Sequence, residues 1–271
     1  MKTTIVRRAS VALAAAVALI AAQYAVADFP SIVSSFRMSG VTPPYARGIY
    51  TGGGSSVGGI FYEGPGRHSF RIFTLAGSLT ATYPMAGGVM LGDADRPPEG
   101  YRGYLAVVDE GAHNLKAYTM TGSFHSVIRT LSSDVVAYAR GGYTKDYLYL
   151  GTNNGVVFCY TLTWSLANSY PTGVAVADLA AGYGYRYSWG DYLDVGSRQA
   201  GDPIRVYQGP AGAMVASFTL PGIRSCGAVR SGQSYWCLRD LGTEIWAYRV
   251  AISGLMEVHP ASLGRIKALY K

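Results

Sequence analysis

The sequence has few cysteines, few charged residues and few histidines, and each scarcity argues against a class of protein. Three cysteines in 271 residues are too few for a scaffold held together by disulfides. Only 14% of the residues are charged, and the four histidines show no metal-ligand spacing. No phosphate-cradling loop or nucleotide-binding fingerprint occurs. What the chain has instead is glycine, with 35 residues, and tyrosine, with 22.

Residues 1–27 have the pattern of a secretory signal peptide. Lys2, Arg7 and Arg8 form a basic start, an uncharged run follows, and Ala25-Val-Ala27 is a small-x-small cleavage site before Asp28. The uncharged run is shorter than the ~20 apolar residues of a membrane span. We therefore expect an exported bacterial protein, secreted, extracellular or periplasmic, that is not inserted in a membrane after cleavage.

Removal of this leader changes the expected charge of the protein. The formal net charge of the whole chain is +7, and the three basic residues of the leader account for three of these units, which leaves +4. The body of the protein is therefore close to neutral, and no nucleic-acid partner is predicted.

A short motif recurs six times along the rest of the chain. It consists of an apolar residue, three mostly small residues and then, in most copies, an aromatic or aliphatic residue. Successive copies begin 47, 45, 42, 48 and 41 residues apart. A period in the forties made of short β-like runs is typical of a β-propeller, in which each repeat is one small sheet. The copies are Ile32–Phe36, Leu79–Tyr83, Phe124–Ile128, Leu166–Tyr170, Met214–Phe218 and Leu255–His259.

The remaining strands predict how many sheets the ring contains. Strand-period alternation and turn residues indicate five complete sets of three further strands, so each sheet is an antiparallel four-stranded blade. We expect five blades, with Ile32–Phe36 as the outer strand that closes the ring, and six blades with one incomplete is the alternative. The propeller domain then spans residues 28–254, and residues 255–271 are a C-terminal tail or an added strand.

The repeats resemble those of secreted bacterial propellers of the NHL and YVTN classes. The phrases that carry the resemblance are Ser31-Ile-Val-Ser-Ser-Phe36, Gly77-Ser-Leu-Thr-Ala-Thr-Tyr83 and Tyr147-Leu-Tyr-Leu-Gly151. The resemblance covers the mature chain and implies the propeller architecture. Members of such groups include ligand-binding scaffolds, lactonases and lyases, so the resemblance leaves the activity open.

Two of the cysteines are predicted to face each other across a hairpin. If Ser231-Gly232 is a two-residue turn, Cys226 lies directly opposite Cys237. Directly opposed residues have Cβ atoms roughly 4.5–5.5 Å apart, close to the range of a disulfide. The sequence leaves two readings open, a disulfide between these residues or two small buried thiols.

Acidic residues near the first strand of several repeats could converge on the central channel of the ring. Carboxylates contributed by several blades would suit a hard cation such as calcium. A metal site requires at least three of them within one coordination sphere. Turn amides or solvent are the alternative partners. The four candidate metal ligands are Asp93, Asp95, Asp134 and Asp178.

The strongest sign of a ligand is a tyrosine-rich segment between Gly182 and Tyr192. Flat rings beside hydrogen-bonding groups suit protein or carbohydrate surfaces. The alternation of the tyrosines equally fits a blade strand that packs on its neighbour. The candidate ligand-binding residues are Tyr183, Tyr185, Tyr187, Trp189 and Tyr192.

Three functions follow from these patterns. The low charge, the many tyrosines and the lack of a recognisable catalytic set favour a non-catalytic binding or scaffold module at the cell surface, for a protein or envelope ligand. A glycan-binding lectin-like propeller is the first alternative. The second is a metal-dependent hydrolase or lactonase-like enzyme that uses the channel carboxylates.

Overall fold

The structure of the protein is a computed structural model that consists of β-strands and turns. It describes residues 31–38, 45–52, 56–101, 103–141, 146–185, 188–197, 199, 201–219, 225–231, 234–240 and 245–251. Within this part of the chain no helix is long and apolar enough to cross a membrane. The signal peptide and the tail predicted from the sequence lie outside the described residues.

The described strands are numbered in chain order. They are β1 (Ser31–Arg37), β2 (Tyr45–Gly52), β3 (Ser56–Gly64), β4 (Arg67–Thr74), β5 (Leu79–Met85), β6 (Leu91–Asp95), β7 (Tyr104–Asp109), β8 (Asn114–Thr119), β9 (Phe124–Thr130), β10 (Val135–Gly141), β11 (Tyr147–Thr152), β12 (Val156–Thr161), β13 (Leu166–Pro171), β14 (Val176–Tyr185), β15 (Ser188–Ser197), β16 (Ile204–Gln208), β17 (Ala213–Phe218), β18 (Ser225–Ser231), β19 (Ser234–Asp240) and β20 (Ile245–Ala251).

The strands form antiparallel four-stranded sheets arranged as a propeller-like ring. The sheet orders are β2-β3-β4-β5, β6-β7-β8-β9, β10-β11-β12-β13, β14-β15-β16-β17 and β18-β19-β20-β1. The first strands contact one another in cyclic order, from β2 through β6, β10, β14 and β18 back to β2. The first strands therefore surround a common axis.

The repeated motif occupies the outermost strand of every sheet. Four copies lie on β5, β9, β13 and β17, each joined to the preceding strand by a short turn. The first copy lies on β1, which pairs with β20 at the opposite end of the chain, with Phe36 opposite Ala247. The sequence therefore predicts correctly that the N-terminal strand is the outer strand of the last sheet. The copy at Leu255–His259 lies outside the described residues.

The last residue of the motif packs against the next sheet. Phe36 lies against the turn between β4 and β5, where a Cβ atom on Gly77 would come within 2.7 Å of the Phe36 Cβ. The turn between β8 and β9 repeats this contact, since a Cβ on Gly122 would lie 2.6 Å from the carbonyl oxygen of Pro84 and 3.2 Å from the Tyr83 Cβ. The spacing of motif and turn in the sequence therefore reflects contacts between neighbouring sheets.

The core lies between the sheets rather than at the axis. One cluster joins the first two complete sheets through Phe70, Met85, Leu105 and Tyr118, all at most 3% exposed. A second cluster joins β1 and β20 to the first sheet through Phe36, Phe73, Trp236 and Ile245, among others. Burial against neighbours on both sides is what a ring of sheets provides.

Candidate functional site

The first strands all carry an irregularity close to the ring axis. The pairing of each first strand with its second strand shifts register near its start, in β2, β6, β10, β14 and β18. A β-bulge re-aims the side chain at the irregularity and bends the strand. In β6 the shift falls between Leu91 and Ala94, which is where Asp93 lies.

Asp93 joins three sheets at the axis. Its Oδ2 accepts hydrogen bonds from the backbone N–H of Tyr138 on β10, at 3.2 Å, and of Leu179 on β14, at 3.1 Å. Its Oδ1 accepts one from the N–H of Ala94, at 2.8 Å. Because one carboxyl group reaches the first strands of the next two sheets, it must lie near the centre of the ring.

Burial shifts the pKa of the Asp93 carboxyl group upward. Asp93 is 2% exposed, and its burial raises its pKa well above the usual range; the neighbouring Asp178 carboxylate raises it further. The backbone N–H donors of Leu179 and Tyr138 act in the opposite direction and do not outweigh burial. The carboxyl group of Asp93 therefore serves as a polar tie between sheets, with a pKa shifted upward by burial.

Asp95 forms a second tie two residues further along β6. Its Oδ2 accepts from the backbone N–H of Arg140 on β10, at 2.8 Å, and its Oδ1 accepts from the N–H of Arg96, at 2.6 Å. Burial raises the pKa of Asp95 to about 6, against the charges of Arg96 and Arg140. The Arg140 guanidinium is itself held by Asp146, with Nε to Oδ2 at 3.0 Å.

The structure does not bring the four predicted metal ligands into one coordination sphere. Asp93 and Asp178 are neighbours at the axis, whereas Asp134 accepts hydrogen bonds from Ser132 Oγ, at 2.5 Å, and from Asn154 Nδ2, at 3.4 Å. Among the described residues, no group of three or more His, Cys, Asp or Glu side chains is arranged to hold a metal ion. The carboxylates of Asp93 and Asp95 are used by backbone donors instead.

The tyrosine-rich segment forms the longest hairpin of the described chain. β14 and β15 have ten residues each, and they pair from Val176↔Ser197 out to Tyr185↔Ser188. The third strand β16 pairs with β15 only from Tyr192 to Val195. The carbonyl oxygen of Asp191 still accepts a hydrogen bond from the N–H of Gly209, directly after β16, at 2.8 Å. Residues 183–185 and 188–190 therefore form a two-stranded projection beyond the third strand of the sheet. The tyrosines alternate in the sequence because they lie in β-strands, in which every second side chain points to the same face.

The five predicted ligand-binding residues differ in what the structure shows of them. Tyr192 lies at the base of the hairpin, is 6% exposed and packs with Val206; its role in ligand binding stays a prediction. Tyr183, Tyr185 and Trp189 lie in the projecting strands, and their side chains lie outside the description. Tyr187, at the tip, lies outside the described residues.

The register of the last hairpin differs from the one on which the predicted disulfide rests. Ser231 pairs with Ser234, so the turn lies one residue later than expected, and Ala228 rather than Cys226 faces Cys237. A register shift between Ser225 and Ala228 places Cys226 in the irregular part of β18. The side chains of Cys226 and Cys237 lie outside the description, and the disulfide itself stays a prediction. Cys159 is a buried free thiol.

The sequence analysis assigned no role to two buried polar groups that bind the backbone at the start of β6. Asp109 is fully buried and accepts from the backbone N–H groups of Val89 and Met90, both at 2.9 Å, and from Lys116 Nζ, at 2.7 Å. His68 Nε2 accepts from the N–H of Leu91, at 3.2 Å. Both groups bind backbone N–H groups where β6 begins. In the sequence they look like ordinary strand residues.

Among the comparisons with known proteins, only the one with solved structures finds a likeness. No protein-family model matches the chain, and no curated protein sequence matches it. Among solved structures, it is similar to virginiamycin B lyase from Staphylococcus aureus, at 13% identity over 78% of this chain and 68% of that one, with a TM-score of 0.43. A streptogramin B lyase structure is similar at 13% identity over 77% of this chain and 67% of that one, with a TM-score of 0.42. A catalytically inactive variant of the Staphylococcus aureus enzyme with quinupristin is similar at 11% identity over 76% of this chain and 68% of that one, with a TM-score of 0.45. Likeness at this level assigns no activity to this chain.

Proposed function

We propose that this chain is a secreted, non-catalytic five-bladed β-propeller that binds a protein ligand of the cell envelope through the β14–β15 hairpin. The observation that carries the proposal is the two-stranded projection of residues 183–185 and 188–190 beyond the third strand of its sheet. An isolated two-stranded ribbon is at best marginally stable in water, and packing against another surface stabilises it. A bound partner would supply that surface.

The composition of the projection favours a protein partner. In the segment 183–191 the sequence places three tyrosines and a tryptophan beside one arginine and one aspartate. Aromatic side chains give large contact areas at a low cost in conformational entropy, and they are enriched where proteins bind proteins. The strands of the ribbon also offer backbone groups to an added strand.

The hydrogen bonds of Asp93 and Asp95 support a non-catalytic role for these two channel carboxylates. The two oxygens of Asp93 accept three backbone hydrogen bonds, and each oxygen of Asp95 accepts one. Carboxylates held in this way brace the ring. A general base or a metal ligand needs an oxygen directed at a substrate or an ion.

The export of the protein forms part of the same proposal. The leader-like residues 1–27 would direct the chain out of the cytoplasm, and the five sheets joined through β1 and β20 would fold as one ring after export. A near-neutral surface with a local aromatic ribbon suits contact with an envelope protein better than contact with a polyanion.

Binding of the mature chain, residues 28–271, to an envelope fraction of the producing cells tests the proposal. Surface plasmon resonance would compare the wild type with the double variant Tyr185→Ser/Trp189→Ser. Met214→Ser, which changes a 57% exposed side chain on the outer strand β17, is the matched control. We expect the double variant to lose at least about tenfold in affinity, because aromatic anchors dominate such contacts, and the control to bind as the wild type does.

Trypsin digestion of the envelope fraction and a glycan array distinguish a protein ligand from a glycan ligand. Trypsin digestion of the envelope fraction should abolish binding if the ligand is a protein. Binding that survives trypsin, together with a specific signal on a glycan array, would instead make the protein a lectin. Equal binding by the double variant and the wild type would contradict the assignment of the hairpin.

A further inference from the structure

One contact between the first two complete sheets is made by an imidazole. His68, the second residue of β4, is 2% exposed, and its Nε2 accepts a hydrogen bond from the backbone N–H of Leu91, the first residue of β6, at 3.2 Å. In the sheet of β10–β13, the N–H of Val135 at the start of β10 donates instead to the carbonyl oxygen of Ser132 in its own loop. The start of β6 is therefore bound by a titratable side chain of the neighbouring sheet.

This contact determines which nitrogen of His68 carries the proton. Because Nε2 accepts from an N–H group, the proton of the neutral ring lies on Nδ1. Among the residues that the structure describes, Nδ1 has no hydrogen-bond partner, although it is buried. A second proton, on Nε2, would set two donors against each other, and the hydrogen bond with Leu91 would be lost.

The strands around His68 contribute aromatic and apolar side chains to this interface. Tyr62 of β3 lies edge-on to the imidazole, with 5.5 Å between the ring centroids, and Met85 of β5 pairs with His68 across the ladder. Tyr118 of β8 belongs to the core cluster between the two sheets, and burial raises the pKa of its hydroxyl group, which therefore stays neutral. A charged imidazole is unfavourable in such surroundings.

Two carboxylates act on the charge of His68 from the neighbouring strands. They are Asp109 of β7 and Glu63 of β3, and each is paired with a cation, Asp109 with Lys116 Nζ at 2.7 Å and Glu63 with the Arg71 guanidinium at 2.8 Å. Burial lowers the pKa of His68 below its ordinary value, and the two carboxylates, which act in the opposite direction, do not outweigh burial. The ring is therefore neutral at neutral pH.

The two N–H groups just before the His68 contact are bound by a group that stays ionised in mild acid. Asp109 accepts from the N–H groups of Val89 and Met90, both at 2.9 Å. Burial acts to raise the pKa of Asp109, but the hydrogen bonds from Lys116 and from the backbone outweigh burial, so this pKa lies below its ordinary value. Of the two side chains that hold these three consecutive N–H groups, only His68 changes its charge in mild acid.

We propose that His68 is a pH-sensitive contact that closes the interface of the first two complete sheets at neutral pH and opens it at the start of β6 in mild acid. Uptake of a proton at Nε2 removes the acceptor of the Leu91 N–H, while Asp109 keeps the preceding loop in place. Because a buried N–H without an acceptor is unfavourable, the start of β6 then shifts toward water. This inference does not depend on the proposed ligand of the hairpin.

Acid is the condition under which this contact loses its stabilising effect. The folded protein binds the proton of His68 less tightly than the unfolded chain does. The contact therefore contributes fully above the ordinary histidine pKa of about 6.5, and its contribution is lost as the pH falls through the lower pKa of the folded protein. Asp95, whose pKa burial raises to about 6, has the opposite dependence.

Amide hydrogen exchange of the mature chain at about pH 7.5 and about pH 4.5, on either side of the ordinary histidine pKa, tests the proposal. Protection factors, which correct for the pH dependence of intrinsic exchange, are compared for Val89, Met90 and Leu91 in the wild type and in two variants. His68→Gln carries a side chain that does not titrate and whose amide oxygen can accept from the Leu91 N–H. His125→Gln, at an exposed position of β9, is the matched control.

In the wild type, we expect the protection of the Leu91 amide to fall about fivefold or more between the higher and the lower pH, the factor that one hydrogen bond corresponds to. The protection of Val89 and Met90 should change little, because Asp109 stays ionised. His68→Gln should remove the pH dependence at Leu91, and His125→Gln should retain it. Equal protection of Leu91 at both pH values in the wild type, or the same fall in His68→Gln, would overturn the proposal.

A long-range ¹H–¹⁵N spectrum of the wild type tests the same contact without relying on the folding of a variant. It should show His68 with its proton on Nδ1 at about pH 7.5, and a titration midpoint below the ordinary value of about 6.5. The signal that is missing from the spectrum of His68→Gln assigns the residue. A proton on Nε2 in the neutral ring, or a midpoint at or above the ordinary value, would equally contradict the proposal.

Discussion

At the scale of single residues, buried carboxyl groups are used to connect neighbouring sheets. Asp93 and Asp95 bind backbone N–H groups of the adjoining first strands, and Asp109 holds the backbone at Val89 and Met90 while it pairs with Lys116. A buried backbone donor without a partner costs about 1–3 kcal/mol. Asp93 and Asp95 therefore supply hydrogen bonds between sheets at the axis, and Asp109 satisfies backbone donors just before β6.

Asp95 gives this bracing a predictable pH dependence. Its pKa is raised by burial to about 6 in the folded protein, from 3.8. Its contribution to stability is therefore fully present below the unfolded pKa and is lost as the pH rises through about 6, a change of about 3 kcal/mol at 1.36 kcal/mol per pKa unit.

Chemical denaturation of the wild type and of Asp95→Asn at about pH 4 and about pH 7 measures this contribution. Asparagine does not ionise, so the free energy of unfolding of the wild type should fall relative to that of the variant between the two pH values. The difference between the two proteins cancels the other titrating groups. A difference that is constant with pH, or that grows in favour of the wild type, would contradict the raised pKa.

At the scale of strands and turns, the repeated motif is explained by contacts between sheets. The turn before the second copy places Gly77 at φ 86° against Phe36, and the next turn places Gly122 at φ 81° against Tyr83 and Pro84. In the third turn Trp164 adopts the same left-handed conformation at φ 63°, with the Arg129 guanidinium 4.6 Å from the centroid of its ring. A cation–π contact thus lies where the other turns need glycine.

Alanine substitution distinguishes the two reasons for glycine in these turns, the left-handed backbone conformation and the close contact with the neighbouring sheet. Gly77→Ala and Gly122→Ala should each lower the free energy of unfolding by about 2–4 kcal/mol, through left-handed strain and the clash with the neighbouring sheet. Gly66→Ala is the control, because Gly66 has φ 67° and nothing within 4 Å of an added Cβ. It should cost about 1 kcal/mol. Equal losses at Gly66 and Gly77, measured by urea unfolding, would contradict the contact between the sheets.

The strands could be predicted from the sequence, but the register and the axis could not. Alternation and turn residues gave the strands, since both are local. The pairing of Cys226 with Cys237 was wrong in register because one irregularity in β18 and a turn one residue later shift the partners. The role of Asp93 depends on Tyr138 and Leu179, which the closed ring brings to it from 45 and 86 residues away. No local sequence pattern predicts these long-range hydrogen bonds of Asp93.

At the scale of the whole molecule, the ring depends on the pairing of its two ends. β1 is the outer strand of a sheet whose other strands come from the opposite end of the chain, and Phe36 joins that sheet to the next. The hairpin β14–β15 projects from this frame. The proposed binding role therefore requires that the frame is closed and holds the hairpin in place.

Amide hydrogen exchange of the mature chain, read by mass spectrometry, tests the closed ring most directly. Hydrogen-bonded amides in cooperative structure exchange far more slowly than those of a free peptide. We predict that the amides of Ser31–Arg37 are protected at least about a hundredfold, as ~2.7 kcal/mol of local stability would give, and that β5, β9, β13 and β17 are protected with them. Exchange of Ser31–Arg37 at the rate of a free peptide, beside protected outer strands in the other four sheets, would contradict the closure on which the account rests.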